Sequence, residues 1–334
     1  TNNDITNYYL TLPAQNIETA FWLESDRMLS LAFSPKSLEV QRNVVIEEFR
    51  QRYLNQPYGD TWLLLRPLAY KVHPYQWPTI GKEVSHIENA TLDDVKGFFR
   101  KFYHPANASL ALSGNIDVTT AKELCEKWFA PIPAGNEVIH DLPKEPEQQK
   151  KRILEVERDV PVDSIYKAWH CCARHDQEYH ATDLLTDILS SGKSSRFYNS
   201  LVRQKKLFTD VNIYMLGDID NSLVVAEGRL VKGRTMEEAE EAITEEVEKI
   251  VRNNPSAHEL DKVKNKVESA NAFGDMNIAN RALSICYYDM LGDADLVNQQ
   301  ISQYRAVTTD EISNTAKRIF REENSSVLYY HARN

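Results

Sequence analysis

Thr91-Leu92-Asp93-Asp94-Val95, continuing through Phe99 to Asn107 and Leu110, returns as Thr308-Thr309-Asp310-Glu311-Ile312, continuing through Ala316 to Asn324 and Val327. The offset is 217 residues throughout (91 to 308), without a gap. Each copy predicts the same pair of elements. A threonine stands at a helix N-cap, where its hydroxyl can accept from a free backbone N–H, and acidic residues fill the first turn beside the positive end of the helix dipole. An Asn-led strand follows each helix. A fainter echo sets Ser37-Leu38-Glu39-Val40 against Ala257-His258-Glu259-Leu260, an offset of 220 (39 to 259). Element order therefore agrees across the two halves, and a repeat of this length predicts two equivalent α+β domains.

Length is consistent with that division, because a chain of 334 residues exceeds the size at which one core keeps growing. The 42% hydrophobic and 10% aromatic content is that of a globular protein, and 13 Pro and 11 Gly are too few for a long flexible segment. A formal net charge of -10 argues against nucleic acid as a partner, which would require a basic face to displace phosphate counterions. The densest acidic run spans Glu237 to Glu248. It interleaves with Ala239, Ala242, Ile243, Val247 and Ile250 at helical spacing, which predicts a solvated helix face. No apolar run reaches the roughly 18 residues of a membrane-spanning helix. Cys125, Cys171, Cys172 and Cys286 form no CxxC and no cluster at zinc-ligand spacing, so they read as small buried residues and leave the compartment open. Vicinal Cys171 and Cys172 would point to opposite faces of a strand, so no bond between them is expected.

Along the chain, Tyr8-Tyr9-Leu10-Thr11-Leu12 predicts a short strand, and Ile17 to Leu31 a helix. A second helix opens at Pro35 and Ser37, runs through Leu38, Val40, Val44, Val45 and Phe49 past Tyr53, and ends at Pro57-Tyr58-Gly59; a third follows from Thr61. Pro131, Pro133, Pro143 and Pro146, with the charged run 145–151, mark a linker. Strands are then expected over 152–160, 165–172, 211–216 and 223–230, with a helix over 179–189 and mainly helix from Met236 to Phe320.

Phosphate-loop, dinucleotide and nucleophile-elbow motifs are absent, which removes the common nucleotide-binding and serine-hydrolase readings. The most distinctive remaining segment is Arg42-Asn43-Val44-Val45-Ile46-Glu47-Glu48-Phe49. On its own, a Glu pair on an amphipathic helix is a surface feature. Taken with Thr6-Asn7-Tyr8-Tyr9, with His73-Pro74-Tyr75, Gly81 and Tyr103-His104-Pro105-Ala106-Asn107 to Gly114, and with Asp183 to Leu189 and Ser194-Ser195-Arg196-Phe197, it resembles the inverted-zincin metallopeptidases of the pitrilysin, insulinase and mitochondrial processing peptidase type. The four matches come in the family's order and cover nearly all of the chain.

That resemblance implies two homologous α+β domains, each a mainly antiparallel sheet packed with helices and together half of a peptidase clamshell. Residues 1–137 would form an incomplete N-terminal domain carrying the distal zinc-ligand helix, 138–150 a linker, and 151–334 the homologous second domain. It implies Zn2+ in the complete protein, with Glu48 as the metal ligand that follows an HxxEH helix, and hydrolysis of unfolded or short peptides by zinc-activated water in an enclosed chamber. HxxEH itself is absent, so no catalytic residue of that motif is expected among these residues and the chain alone is expected to be inactive and without zinc. His175-Asp176-Gln177-Glu178-Tyr179-His180 has one residue too many to place two imidazoles on one helix face. Because the chain opens at Thr1-Asn2-Asn3-Asp4, a piece carrying HxxEH is expected upstream, and its loss should expose apolar residues near Tyr8 and Leu10. Two positions depart from the family: Gln41 stands where relatives often carry a second acid, and Asp210 where a Tyr would join Arg203 in gripping substrate backbone. Arg203, beside Gln204-Lys205-Lys206, equally suits a solvated basic helix end. The expected partners are peptide substrates and a second homologous subunit, a fused half, or the missing piece. A noncatalytic scaffold subunit of the same fold is the rival reading.

Overall fold

The computed structural model describes residues 1–29, 31–138 and 140–333. In the first half, helices α1 (Ile17–Leu29), α2 (Pro35–Phe49), α3 (Thr61–Ala69), α4 (Val84–Glu88), α5 (Leu92–Phe102) and α6 (Val118–Trp128) follow one another. The second half runs β1 (Arg152–Arg158), β2 (Ser164–His170), α7 (Tyr179–Ser190), β3 (Phe208–Met215), β4 (Leu223–Leu230), α8 (Met236–Arg252), α9 (Ala257–Gly274), α10 (Ile278–Met290), α11 (Leu296–Ala306), α12 (Thr309–Ile319) and β5 (Ser325–Ala332). Wider π-type turns extend α2 over Arg50–Leu54 and form Tyr198–Gln204. The fold is α+β, and among the described residues no helix is long and apolar enough to cross a membrane.

Among the described residues five strands form one sheet in the order β1-β5-β2-β4-β3, antiparallel except for the β1–β5 pair. Strand side chains alternate between faces, so β2 sends Ile165 and Trp169 to one side and Tyr166 and Ala168 to the other. On the first side α7, α8 and α12 close a core with Leu184, Leu185, Ile188, Ile243, Val247 and Ile312, each 2% exposed or less. On the other side the cover comes from the first half: Leu65, Ala69 and Tyr70 of α3 and its C-terminus pack on Leu223, Val225, Leu328 and Tyr330. The turn that sends α3 back to the sheet needs Tyr58 in the left-handed region (φ 61°), where its hydroxyl donates 2.8 Å to Val162 O. It also needs Gly59, whose Cβ would lie 2.8 Å from Arg52 O.

The repeat holds at the level of elements. α5 and α12 begin with capping boxes at Thr91 with Asp94 and Thr308 with Glu311, and each leads through a short 3-10 turn to Asn107 or Asn324. The strand expected after Asn324 is β5. Its expected counterpart after Asn107 is absent: residues 108–112 have no ladder partner, nor does the stretch 5–12 where Tyr8 to Leu12 was expected as a strand. The sheet expected in the first domain is therefore not formed among the described residues, because a strand has nothing to bond without a neighbour. The weaker echo also shifts. Capping boxes at Ser34 with Ser37 and Ser256 with Glu259 align α2 with α9 at an offset of 222 (34 to 256), two residues from that suggested by Glu39 and Glu259.

Residues 141–149 have no regular structure, but this stretch is tied down. The Glu145 carboxylate accepts from the backbone N–H of Lys71, Val72 and His73 at 2.8, 2.8 and 3.0 Å. Buried Gln148 donates to Ser325 O at 2.7 Å. Ile139 of the expected linker and Ser30 of the expected first helix lie outside the described residues.

Candidate functional site

Helix α2 starts where it does because Ser34 accepts from Ser37 N, Ser37 returns the bond, and Pro35 begins the first turn. Ile46 and Phe49 anchor it inward at 7% and 2% exposure. Arg42 Nη2 donates 2.5 Å to Ala90 O and fastens it to the α4–α5 junction. Glu48 is half-exposed, with Oε1 2.9 Å from Arg52 Nη1, one turn on. Such an exposed pair is worth only about 0–1 kcal/mol, so it does not commit the carboxylate. Val40 and Val44 share the Glu48 stripe at helical spacing and are 57% and 52% exposed. Gln41, seven residues before Glu48, is exposed too. The carboxylate thus stands on an apolar helix face that the described residues leave open.

A catalytic zinc needs three protein ligands. Among the described residues no group of three or more His, Cys, Asp or Glu side chains could hold a metal ion. Glu48 is one donor, and the residues present do not make a zinc site. His175 and His180 do not compensate: His175 is exposed, while His180 packs edge-on to Tyr304 with ring centroids 4.6 Å apart. Burial, and then the charge of Arg174, push His180 down to about 4.

Arg203 is exposed at the end of the π-type turn and donates 3.3 Å to Asn199 Oδ1. Asp210, in the position expected for its aromatic partner, lies on β3 with Oδ2 3.5 Å from Arg229 Nη1. Among the described residues no hydrogen bond or ion pair joins the two, and Arg203 is exposed as a basic helix end is. All four cysteines are free; β2 ends at His170, so Cys171 and Cys172 follow the strand rather than sit in it.

Two polar constellations had no signal in the sequence. In the first, the acidic run on α8 is not wholly solvated: Glu240 and Glu246 are 8% and 3% exposed. Glu240 Oε1 accepts from Lys167 at 2.7 Å and Lys151 at 2.6 Å, and Oε2 from the Tyr329 hydroxyl. Burial raises the Glu240 pKa, but these three donors outweigh it and hold the group down at about 2. In the second, the His73-Pro74-Tyr75 turn grips the β3–β4 connection. Tyr75 Oη donates to Asp4 and accepts from Asp220 N at 3.2 Å, His73 Nε2 lies 3.2 Å from Asp220, and Asn3 donates 2.8 Å to Asp218. Residues that resemble a family motif thus serve here to join the two halves. Both constellations pair residues more than 70 positions apart, which spacing cannot reveal.

Comparison with known proteins agrees with this geometry. Residues 89–267 match the family model described as the peptidase M16 inactive domain. A zinc protease of Helicobacter pylori, PqqE, is 30% identical over 271 residues, covering 79% of this chain and 60% of that protein. The chain therefore spans less than two thirds of that relative. A crystal structure of a protease from Helicobacter pylori superposes with a TM-score of 0.88 at 25% identity, covering 95% of this chain and 77% of that one. A peptidase M16 inactive domain from Pseudomonas fluorescens has the same fold, with a TM-score of 0.83 at 19% identity, 96% of this chain and 76% of that one. The family match takes in more than half of the residues, the fold agrees over nearly all of them, and the chain belongs to the M16 peptidase family.

Proposed function

We propose that this chain is part of a zinc-dependent endopeptidase subunit, with Glu48 as one ligand of the metal and the other ligands and the general base supplied from outside residues 1–334. The observation that carries the reading is the open α2 face: Glu48 is held on a rigid helix, paired among the described residues with an exposed Arg alone, beside exposed Val44 and Val40. Metal sites are commonly wrapped in an apolar shell that controls solvent access. The relative named as a zinc protease supports the same chemistry. In this reading residues 1–137 are the incomplete peptidase domain, 138–150 the linker and 151–334 its homologue. A second homologous subunit or fused half completes a chamber that admits unfolded or short peptides.

Metal analysis tests it. The 334-residue chain is expected to bind no stoichiometric zinc and to cleave no peptide. The full gene product is expected to hold one zinc per chain, lost in Glu48→Gln, with activity falling by more than the roughly 10–100-fold that loss of an outer-shell partner costs. Stoichiometric zinc in the 334-residue chain, or peptide hydrolysis by it, would overturn the assignment.

A noncatalytic subunit of the same fold is the second reading, favoured by the match to an inactive domain and by Asp210 in ion-pair range of Arg229. A full gene product without zinc and without peptidase activity would establish it.

A further inference from the structure

Vicinal Cys171 and Cys172, expected on opposite faces of a strand, are instead turned to the same side. Just beyond the end of β2, Ser222 O accepts 2.8 Å from Cys171 N, while Ser222 N donates 3.4 Å to Cys172 O. In a regular antiparallel pair both bonds would reach one residue. Here two residues oppose one, the arrangement of a β-bulge, which breaks the alternation of side chains and re-aims them. Cys171, 8% exposed, belongs to the core on the α7 side of the sheet. Cys172 is half-buried, and its Sγ lies 3.4 Å from Oγ1 of Thr182 on α7. Both sulfurs therefore face α7, within hydrogen-bonding reach of each other.

The backbone that carries the pair is fixed on both sides. Before it, β2 is paired with β4 and β5; after it, Arg174 N donates 3.0 Å to Ile219 O, and Arg174 Nη2 donates 3.0 Å to the Tyr288 hydroxyl on α10. The two thiols are thus held in place before any ligand arrives. A direct bond between them would be strained, since Cα atoms joined by a trans peptide are about 3.8 Å apart and ordinary disulfides begin at roughly 4.4 Å. Nor do they suit zinc, which takes at least three protein ligands: among the described residues no third His, Cys, Asp or Glu completes a metal-binding group with them. What remains is a pair of soft sulfur donors with no harder group beside them. Thiolates of this kind select monovalent copper, which is satisfied by two ligands.

We infer that Cys171 and Cys172 form a two-thiolate site for a single Cu(I) ion. On binding, each thiol releases its proton to solvent and each sulfur forms one bond to copper, so that a cation and two neutral thiols become one complex of charge -1 and two protons, with no electron transferred. Half-buried Cys172 is the sulfur that meets the ion first, and buried Cys171 closes on it from the core side. The site lies on the connection between β2 and α7 and uses none of the residues of the zinc reading.

Anaerobic titration of the reduced 334-residue chain with Cu(I), in competition with a chromophoric Cu(I) chelator, tests it. One copper per chain is expected, with sulfur-only coordination in X-ray absorption, lost in Cys172→Ser and kept when Cys125→Ser and Cys286→Ser are combined. Cys172→Ser is the principal variant because its side chain is half-buried and the fold does not depend on it as it does on Cys171. An unfolded chain with adjacent cysteines also binds copper, so the bulge is tested separately: Cu(I) is expected to raise the urea midpoint, as an ion that prefers the folded pair must. Absence of stoichiometric copper, copper held as tightly by Cys172→Ser as by the wild type, or displacement by excess zinc overturns the inference. An unchanged or lowered midpoint does so as well, since it would mean that the fold does not preset the two sulfurs.

Discussion

Glu240 shows how much a single side chain can carry once it is buried. A buried Lys stranded without its partner is expected to cost about 3–5 kcal/mol, whereas replacing both partners by neutral groups is often tolerated. Glu240→Gln leaves Lys167, 4% exposed, without its carboxylate, and is expected to lower the urea-derived stability by that amount. Lys167→Met combined with Glu240→Gln is expected to recover most of the loss; a single variant within about 1 kcal/mol of wild type would show that the network is not load-sharing in this way. Buried and paired side chains also give acid sensitivity a definite shape. His180 is pushed from 6.5 down to about 4 in the folded chain, so the unfolded chain binds the extra proton and stability falls as pH drops through that interval. Glu240 and Glu259, held at about 2 against an ordinary 4.5, add a second loss as pH falls from 4.5 towards 2. His180→Phe should reduce the fall in stability between pH 6.5 and 4.5, leaving the part due to His170, which burial also lowers, and the lower step, which pH-dependent urea titration would check.

At the scale of elements, α5 and α12 have the same length, the same threonine cap and the same acidic first turn. They differ in what they face. α12 buries Ile312, Ser313, Thr315, Ala316 and Ile319, while no residue of α5 is buried. A helix draws most of its stability from packing rather than from its cap. Thr308→Ala is therefore expected to shift the main unfolding transition of the 334-residue chain by about 1 kcal/mol. Thr91→Ala should leave that transition in place and only speed amide exchange within 92–102. Equal shifts from the two substitutions would show that α5 is already part of the cooperative core.

Across the whole molecule, α3 is the element that joins the halves, because it leaves the first half to cover the second-half sheet. Leu65, 0% exposed between α3 and the sheet, has no room to be replaced cheaply. Leu65→Ala is expected to cost about 2–5 kcal/mol and to make 129–151 accessible to limited proteolysis, as the Glu145 and Tyr75 clamps lose the surface that aligns them. An unchanged cleavage pattern with lowered stability would mean that the polar clamps alone hold the halves in register.

The sequence by itself determined what depends on neighbours along the chain: the threonine caps at Thr91 and Thr308, the helix that carries Glu48, the strands of the second half, and the family through motifs in fixed order. Caps, helical stripes and alternation act over a few residues, so local spacing is enough to read them. Tertiary structure decided the rest. Whether residues 108–112 became a strand depended on a neighbour to bond with, and the equivalent stretch after Asn324 became β5 where β1 and β2 were present. Whether the α8 acids were solvated depended on Lys167 and Tyr329 arriving from distant strands. Whether Glu48 had companion ligands was likewise a matter of what folds against α2. Pairing, burial and ligation each require groups far apart in sequence to meet, and only the folded chain shows which of them do.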